Sequence, residues 1–260
     1  YMSIRKLFLC LLSILSASVY AEESIGSTVP KSAFFMGLGV SQSHLNFNNQ
    51  QTWGKGTTSA PAGPDNPAID GSQLGYFSRF ENSDYLWGLK FTYGYFNASS
   101  KVANQLIPQA GGYTNDSGYN SFNGNYLVRS YQQTLENQFS LVPFIGHSFS
   151  KGYLYTGIGP SLSQVKTYIN GITGFADLFG FPSNISGSLQ NYSATQWVVG
   201  GSATVGGSYF FGDSFFLDLN YSYTQSANST ANWAGPWSKR GIWSPTGFNN
   251  VPYSGTNVGT

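Results

Sequence analysis

The sequence predicts an all-β chain folded as an antiparallel, up-and-down, eight-stranded transmembrane β-barrel, with short periplasmic turns and long extracellular loops. Three observations predict it. Charged residues make up 9% of the 260 positions, against about 25% in soluble domains, which need charge to stay solvated and apart. Aromatic residues make up 17%, with 18 Tyr, 20 Phe and 6 Trp, a supply suited to belts at two lipid–water boundaries. Stretches of period-two alternation recur along the chain, and the connections between them are short and long by turns. A mean hydropathy of −0.18 agrees, because strands with one lipid-facing and one lumenal face average their hydropathy away.

The first element is a leader. Arg5 and Lys6 precede an apolar stretch from Leu7 to about Leu15, which ends in Ala17, Ser18, Val19, Tyr20 and Ala21. Val19 and Ala21 satisfy the small-residue rule for cleavage, so residues 2–21 are expected to be a secretory signal peptide cut between Ala21 and Glu22. Even taken on to Ala21, a stretch of about 15 residues is short of the roughly 20 that a helix needs to cross a bilayer. Cys10, the sole cysteine, sits in mid-stretch before Leu11 and Leu12 rather than at its end, which argues against lipidation. The mature chain then holds no thiol, and loss of Arg5 and Lys6 takes its net charge from +1 to −1. No nucleic-acid footprint is present. Residues 22–32 are expected to form a short periplasmic segment, and residues 33–260 the barrel.

Seven strands follow from alternation. Phe34, Met36, Leu38 and Val40 oppose Gly37, Gly39 and Ser41 in the first. In the second, Leu74, Tyr76 and Phe80 oppose Gln73, Gly75, Arg79 and Glu81. The third is the clearest: Tyr85, Trp87, Leu89, Phe91, Tyr93 and Tyr95 oppose Gly88, Lys90, Thr92 and Gly94. A fourth runs from about Tyr131 to Phe149, with Leu135, Phe139, Leu141 and Ile145 opposite Glu136, Gln138 and Ser140. The fifth, Tyr153 to about Gln164, is less regular because Leu154 and Ile158 oppose Tyr153 and Tyr155. The sixth sets Trp197, Val199, Ala203, Val205, Tyr209 and Phe211 against Gln196, Gly200, Ser202, Thr204 and Ser208, and the seventh sets Phe215, Leu217, Leu219, Tyr221 and Tyr223 against Asp218, Asn220, Ser222 and Thr224.

Tight turns are expected at Asn82–Asp84, Ser150–Gly152 and Gly212–Ser214, where turn-forming residues cluster. Polar loops are expected at about Asn46–Gly71, Asn97–Arg129, Val165–Tyr192 and from Gln225 onward. A compact soluble domain seldom holds four structureless loops of that length. Seven strands counted from a periplasmic N-terminus leave the chain outside, and an open edge in lipid is too costly to persist. The eighth, C-terminal strand is therefore expected to be missing from this sequence.

Through its strand alternation, its turn and loop rhythm and its leader, the sequence from about residue 30 to residue 260 resembles the small eight-stranded outer-membrane barrels, the family of the outer-membrane protein A transmembrane domain and the opacity-type adhesins. It also looks like the surface barrels of intracellular gammaproteobacterial pathogens. The resemblance implies residence in the outer membrane of a Gram-negative bacterium. It implies as partners outer-membrane lipid and lipopolysaccharide, the barrel assembly machinery, periplasmic chaperones and a host-cell surface ligand. The aromatic-ended terminal strand of that family is not present in this sequence.

The alternation directs Arg79, Glu81, Lys90, Glu136 and Asp218 into a lumen just wide enough for side chains to fill. Mixed signs on buried strands suggest a paired charge network acting as a plug; the same charges could instead line a narrow pore. Tyr85, Trp87, Tyr95, Trp197, Tyr209, Tyr221 and Tyr223 are expected on the outside as interface anchors. A soluble barrel with these aromatics inside would have to cover its exterior with too little charge. His44 and His147 lack companions at metal-ligand spacing, and no cofactor or catalytic signature is recognisable. Gly37, Gly39, Gly157 and Gly159 fall within strands, where glycine relieves crowding. The loops, with Trp53, Tyr113, Tyr119, Trp233, Trp237 and Trp243, have the composition of recognition surfaces. The expected function is a non-enzymatic surface barrel contacting host or envelope partners, with a small porin as the alternative and a lipid-acting enzyme as the third class.

Overall fold

The computed structural model describes the backbone of residues 15–21, 29–44, 49–53, 56–60, 65–115, 118–178, 181–184, 190–211, 215–236 and 252–259. It describes the side chains of 29–40, 71–108, 118, 121, 123–177, 191–211 and 215–228. Every regular element among them is a β-strand: β1 (Leu15–Ala21), β2 (Ser32–His44), β3 (Asn49–Trp53), β4 (Gly56–Ala60), β5 (Asp65–Arg79), β6 (Tyr85–Asn115), β7 (Gly118–Phe149), β8 (Gly152–Leu178), β9 (Phe181–Asn184), β10 (Gln190–Phe210), β11 (Phe215–Ser226), β12 (Ser229–Pro236) and β13 (Pro252–Gly259). The seven alternating stretches fall on β2, β5, β6, β7, β8, β10 and β11.

All pairings are antiparallel. The main sheet runs in the order β10, β11, β1, β2, β5, β6, β7, β8, β9, and β10 pairs with β8 as well as with β11. A second sheet runs β12, β13, β3, β4. Within the expected leader, β1 pairs on one side with β11, from Leu15↔Leu217 to Ala17↔Phe215, and on the other with β2, from Ser16↔Gly37 to Ala21↔Ala33.

The turns follow from local chemistry. Ser83 N donates to Phe80 O (3.2 Å), and Asn82, third residue of that turn, holds φ at +52°, a conformation asparagine tolerates better than most residues. Phe211 N donates to Phe215 O (2.8 Å) across the turn expected at Gly212–Ser214, which itself lies outside the described residues.

Two expected loops are strands instead. The β6–β7 ladder continues from Tyr85↔His147 to Asn115↔Gly118, across the described residues of Asn97–Arg129. The β8–β10 ladder continues from Gly152↔Tyr209 to Ile172↔Gln190. The alternation that marks a strand is lost there because the register shifts between Tyr95 and Ala98, beside Asn97 with φ +44°, and between Leu135 and Asn137. The one extra residue on β7 turns the following side chains to the other face, whereas on β6 the even-numbered positions stay inward across the shift, as Lys90, Ala98 and Ser100 are all buried. A buried cluster of Ile107, Val128, Tyr131, Ile169 and Ile172 holds these arms together. Parts of the other two expected loops also pair, as β3, β4, the start of β5, β12 and β13.

At the turn end, the inward faces of seven strands, with Val29 and Ala33, bury Phe35, Phe77, Leu86, Phe144, Tyr153, Tyr155, Phe210 and Phe216 in one cluster. Most of the rings meet edge-on or tilted, as in Phe35–Phe216 (5.8 Å, 89°) and Phe77–Tyr153 (5.1 Å, 48°), while Phe144 and Tyr153 stack (6.4 Å, 7°), arrangements worth about 0.5–1.5 kcal/mol per pair beyond burial. Glycines make room for them. A Cβ at Gly88 would strike the Phe144 ring, and one at Gly206 would stand 2.7 Å from the Tyr155 ring. At Gly71, by contrast, the nearest atoms would be the Gly39 backbone at 3.7 Å. Gly88→Val is therefore expected to lower the urea-unfolding free energy of the refolded protein by about 1–3 kcal/mol, the usual cost of overpacking, while Gly71→Ala stays near wild type.

Candidate functional site

Above the aromatic cluster lies the most heavily bonded polar group in the described structure. Lys90 of β6, 3% exposed, and Asp218 of β11, 7% exposed, meet at 3.1 Å. Lys90 Nζ also donates to the Tyr155 hydroxyl at 2.5 Å and stands 4.7 Å from the centre of that ring. The Tyr155 hydroxyl in turn donates to Asp218 Oδ1 at 2.9 Å. Ser208 of β10 donates to Oδ1 and Asn220 to Oδ2, both at 3.1 Å. The aspartate thus accepts from four side chains on four strands, which is what a buried carboxylate requires.

The placement follows from the pleat. Leu86, Gly88 and Lys90 turn to the buried face of β6, while Tyr85, Trp87 and Leu89 turn out. Phe216 and Asp218 do the same on β11. β6 and β11 are not neighbours in the sheet. Lys90 and Asp218 therefore reach each other across the interior of a curved sheet. Further toward the arms the inward face is polar and uncharged: Gln138 bonds Ser163 (3.0 Å), Thr204 bonds Ser222 (2.8 Å) and Thr224 bonds Ser202 (3.2 Å).

Of the five charges expected in one network, the structure brings together Lys90 and Asp218. Three are corrected. Glu136 is the extra residue of the bulge between Leu135 and Asn137, so it leaves the inward face and pairs loosely with Lys166 at 3.8 Å, both partly exposed. Leu135, expected outside, is buried by the same shift. Glu81 is exposed in the turn after β5. Arg79, the last residue of β5, keeps its Nε buried without a partner in the structure and does not reach Asp218. Sequence reasoning missed Tyr155 and Ser208 as partners. The signal for Tyr155 was present in the exposed Leu154 and Ile158, at 62% and 72%, which put Tyr155 between them and Tyr153 just before them on the buried side.

Tyr85, Trp87, Tyr95, Trp197, Tyr209, Tyr221 and Tyr223 are all exposed. Trp87 meets Tyr76 (5.9 Å), Trp197 meets Phe139 (5.8 Å) and Tyr85 meets His147 edge-on (5.1 Å). Ala21 ends β1, whereas Glu22 lies outside the described residues, as do Trp237 and Trp243. Of His44, Trp53, Tyr113, Tyr119 and Trp233 only the backbone is described. No group of three or more metal-ligating side chains occurs among the described residues.

No protein-family model matches the chain, and no curated protein matches it. Among solved structures it is similar to Ail, the attachment invasion locus protein of Yersinia pestis, crystallised in complex with the heparin analogue sucrose octasulfate. The identity is 11% over 95% of this chain and 97% of that one, with a TM-score of 0.33. The architecture described above rests on the chain's own pairings.

The ion pair makes a specific demand. Lys90→Met leaves Asp218 charged and buried, and is expected to cost about 3–5 kcal/mol, the usual penalty for stranding one partner. The double variant Lys90→Met, Asp218→Asn is expected to recover part of that loss. Urea titrations of the four refolded proteins would measure the coupling directly; a double variant as unstable as the sum of the two single losses would remove the pair from the account.

Proposed function

We propose that the chain is a non-enzymatic outer-membrane surface protein of a Gram-negative bacterium, an eight-stranded barrel whose tall hairpin arms present loops to host or envelope partners. One observation carries the reading: apart from the buried aromatic cluster at the turn end, the sheet exposes apolar and aromatic side chains on one face and buries hydrogen-bonded polar ones on the other, the inverse of a water-soluble barrel. From Tyr85 to Tyr95, both exposed aromatics of β6, the strand covers about 33 Å at ~3.3 Å per residue. At the ~40° tilt of such barrels that length rises about 25 Å, the height of their apolar band. β6, β7 and β8 then continue past this band for a further turn of sheet.

Pairing of β8 with β10 and of β10 with β11 joins seven strands in one curved sheet, and the fact that a single strand, β1, bridges its outer edges β11 and β2 supports closure by one strand in that position. Residues 2–21 act, in this reading, as a leader cleaved after Ala21, and the exposed aromatics anchor the barrel at the two lipid boundaries. The buried rings and the Lys90–Asp218 pair plug the interior at the turn end, which favours a scaffold for surface loops over a channel. Loops held on rigid strands are where binding residues tend to reside.

Refolded in planar bilayers, the protein is expected to be electrically silent, and cells displaying it are expected to adhere to host cells. Deleting 109–122, the tip of the β6–β7 arm, should reduce adherence to that of cells lacking the protein without altering the heat-dependent gel shift of a folded barrel. Discrete conductance steps together with unchanged adherence would instead identify a small porin.

A further inference from the structure

The β7–β8 ladder has a gap. Its register is the same on either side, Ser140↔Ser161 toward the arms and Phe144↔Gly157 toward the turns, yet residues 141–143 and 158–160 carry no pairing with each other. On their other sides the same strands are continuous, β7 with β6 through Leu89↔Pro143 and β8 with β10 through Pro160↔Gly201.

The cause is a pair of prolines. Ser148 N donates to Asp84 O and Phe210 N to Lys151 O, so even-numbered amides of β7 point to β6 and odd-numbered amides of β8 point to β10. Odd amides of β7 and even amides of β8 therefore face each other, and in the gap these belong to Leu141, Pro143, Ile158 and Pro160. Proline has no N–H, and inside a sheet it removes a ladder bond. Two consecutive rungs are left with one donor each, Leu141 N and Ile158 N. All four residues are exposed on the outer face.

The inward face of β8 adds little across the gap. Its positions there are Gly157 and Gly159, and a Cβ at Gly159 would strike Leu141 O. The inward residues flanking them are Ser161 and Tyr155. Ser161 is 4% exposed, and its Oγ has no hydrogen-bond partner among the described residues. Tyr155 is tied. Lys90 starts level with the gap, opposite Val142, and reaches past β7 to the Tyr155 hydroxyl (2.5 Å), which donates to Asp218 (2.9 Å). The knot that fills the interior lengthwise thus also binds β8 to β6 across the strand between them.

We propose that β7 and β8 form a lateral seam that opens at this height, and that the Lys90–Tyr155–Asp218 knot is the clasp that keeps it shut. This rests on the barrel reading above. In that reading the seam lies at the middle of the apolar band, because Leu89 and Phe91, the neighbours of Pro143 and Leu141 on β6, stand halfway between Tyr85 and Tyr95. Opening there joins the interior to the surrounding membrane rather than to water at either end.

The test is amide exchange of the full chain refolded in zwitterionic micelles. Ile145 and Thr156 form the next rung toward the turns, with both donors present, and serve as the reference. In the wild type, the Leu141 and Ile158 amides are expected to exchange about tenfold faster than those of Ile145 and Thr156. Tyr155→Phe removes the hydroxyl of the clasp and keeps its ring. It is expected to speed Leu141 and Ile158 by about a further tenfold and to leave Gly75 and Phe77, on the β2–β5 ladder, unchanged. Pro143→Val with Pro160→Val restores both donors, and is expected to slow Leu141 and Ile158 to the rate of the reference rung and to cancel the effect of Tyr155→Phe. Equal rates for the broken and reference rungs in the wild type would overturn the seam. Acceleration of every ladder alike by Tyr155→Phe, or an effect that survives the two valines, would overturn the clasp. If Tyr155→Phe gives no heat-shifted band, the double variant Lys90→Met, Asp218→Asn releases the clasp from its other two ends and is read in the same way. Absence of a heat shift in the wild type would count against the barrel reading instead.

Discussion

A lysine and an aspartate that meet inside a sheet must be on strands that curve toward each other, and the rest of this molecule can be understood from that constraint. Lys90 and Asp218 belong to β6 and β11, which share no ladder. Their contact at 3.1 Å, with Tyr155 and Ser208 from β8 and β10 bonded to the same carboxylate, ties four strands through the interior. The tie specifies which face is inward on each strand. Shifting any of the four by one residue would point its polar group outward and bury an apolar one.

Above and below the tie, the interior is organised in layers. Toward the turns it is aromatic, and the rings fit because glycines face them, as Gly88 faces Phe144 and Gly206 faces Tyr155. Toward the arms it changes to hydroxyls and amides that satisfy one another across the ladders. Beyond the bulge at Glu136 a second apolar cluster takes over, and its five buried residues come from the arms of β6, β7 and β8. The arms are therefore supported by packing of their own, a condition for displaying a binding surface at a defined height above the sheet. The exterior has the opposite logic, with leucine, isoleucine and valine flanked by aromatics, a surface that water does not stabilise.

Much of this was legible in the chain, and the places where it was not share a cause. Strands with unbroken alternation, such as Tyr85–Tyr95 and Phe215–Thr224, read true because each side chain's neighbours along the strand repeat its environment. The arms did not, because Asn97, Asn104 and Glu136 interrupt the ladder, and past Glu136 the period-two phase resets. Leu135 and Glu136 exchanged faces for that reason, and Glu136 left the network it was expected to join. Tyr155 was legible only in retrospect, through the exposed Leu154 and Ile158 on either side of it. Ser208 gave no signal at all, since a serine on an inward face is ordinary until a carboxylate stands opposite.

By itself the sequence determined the class of structure: all-β and antiparallel, with aromatic and apolar side chains along the outer face of the strands. That information lies in composition and in the two-residue period, both of which are properties of single strands. Which charges meet and where the strands end were decided by the tertiary structure alone. Those outcomes depend on cross-strand register, and register is set jointly by bulges, by glycine–aromatic fit and by partners more than a hundred residues apart, as Lys90 and Asp218 are.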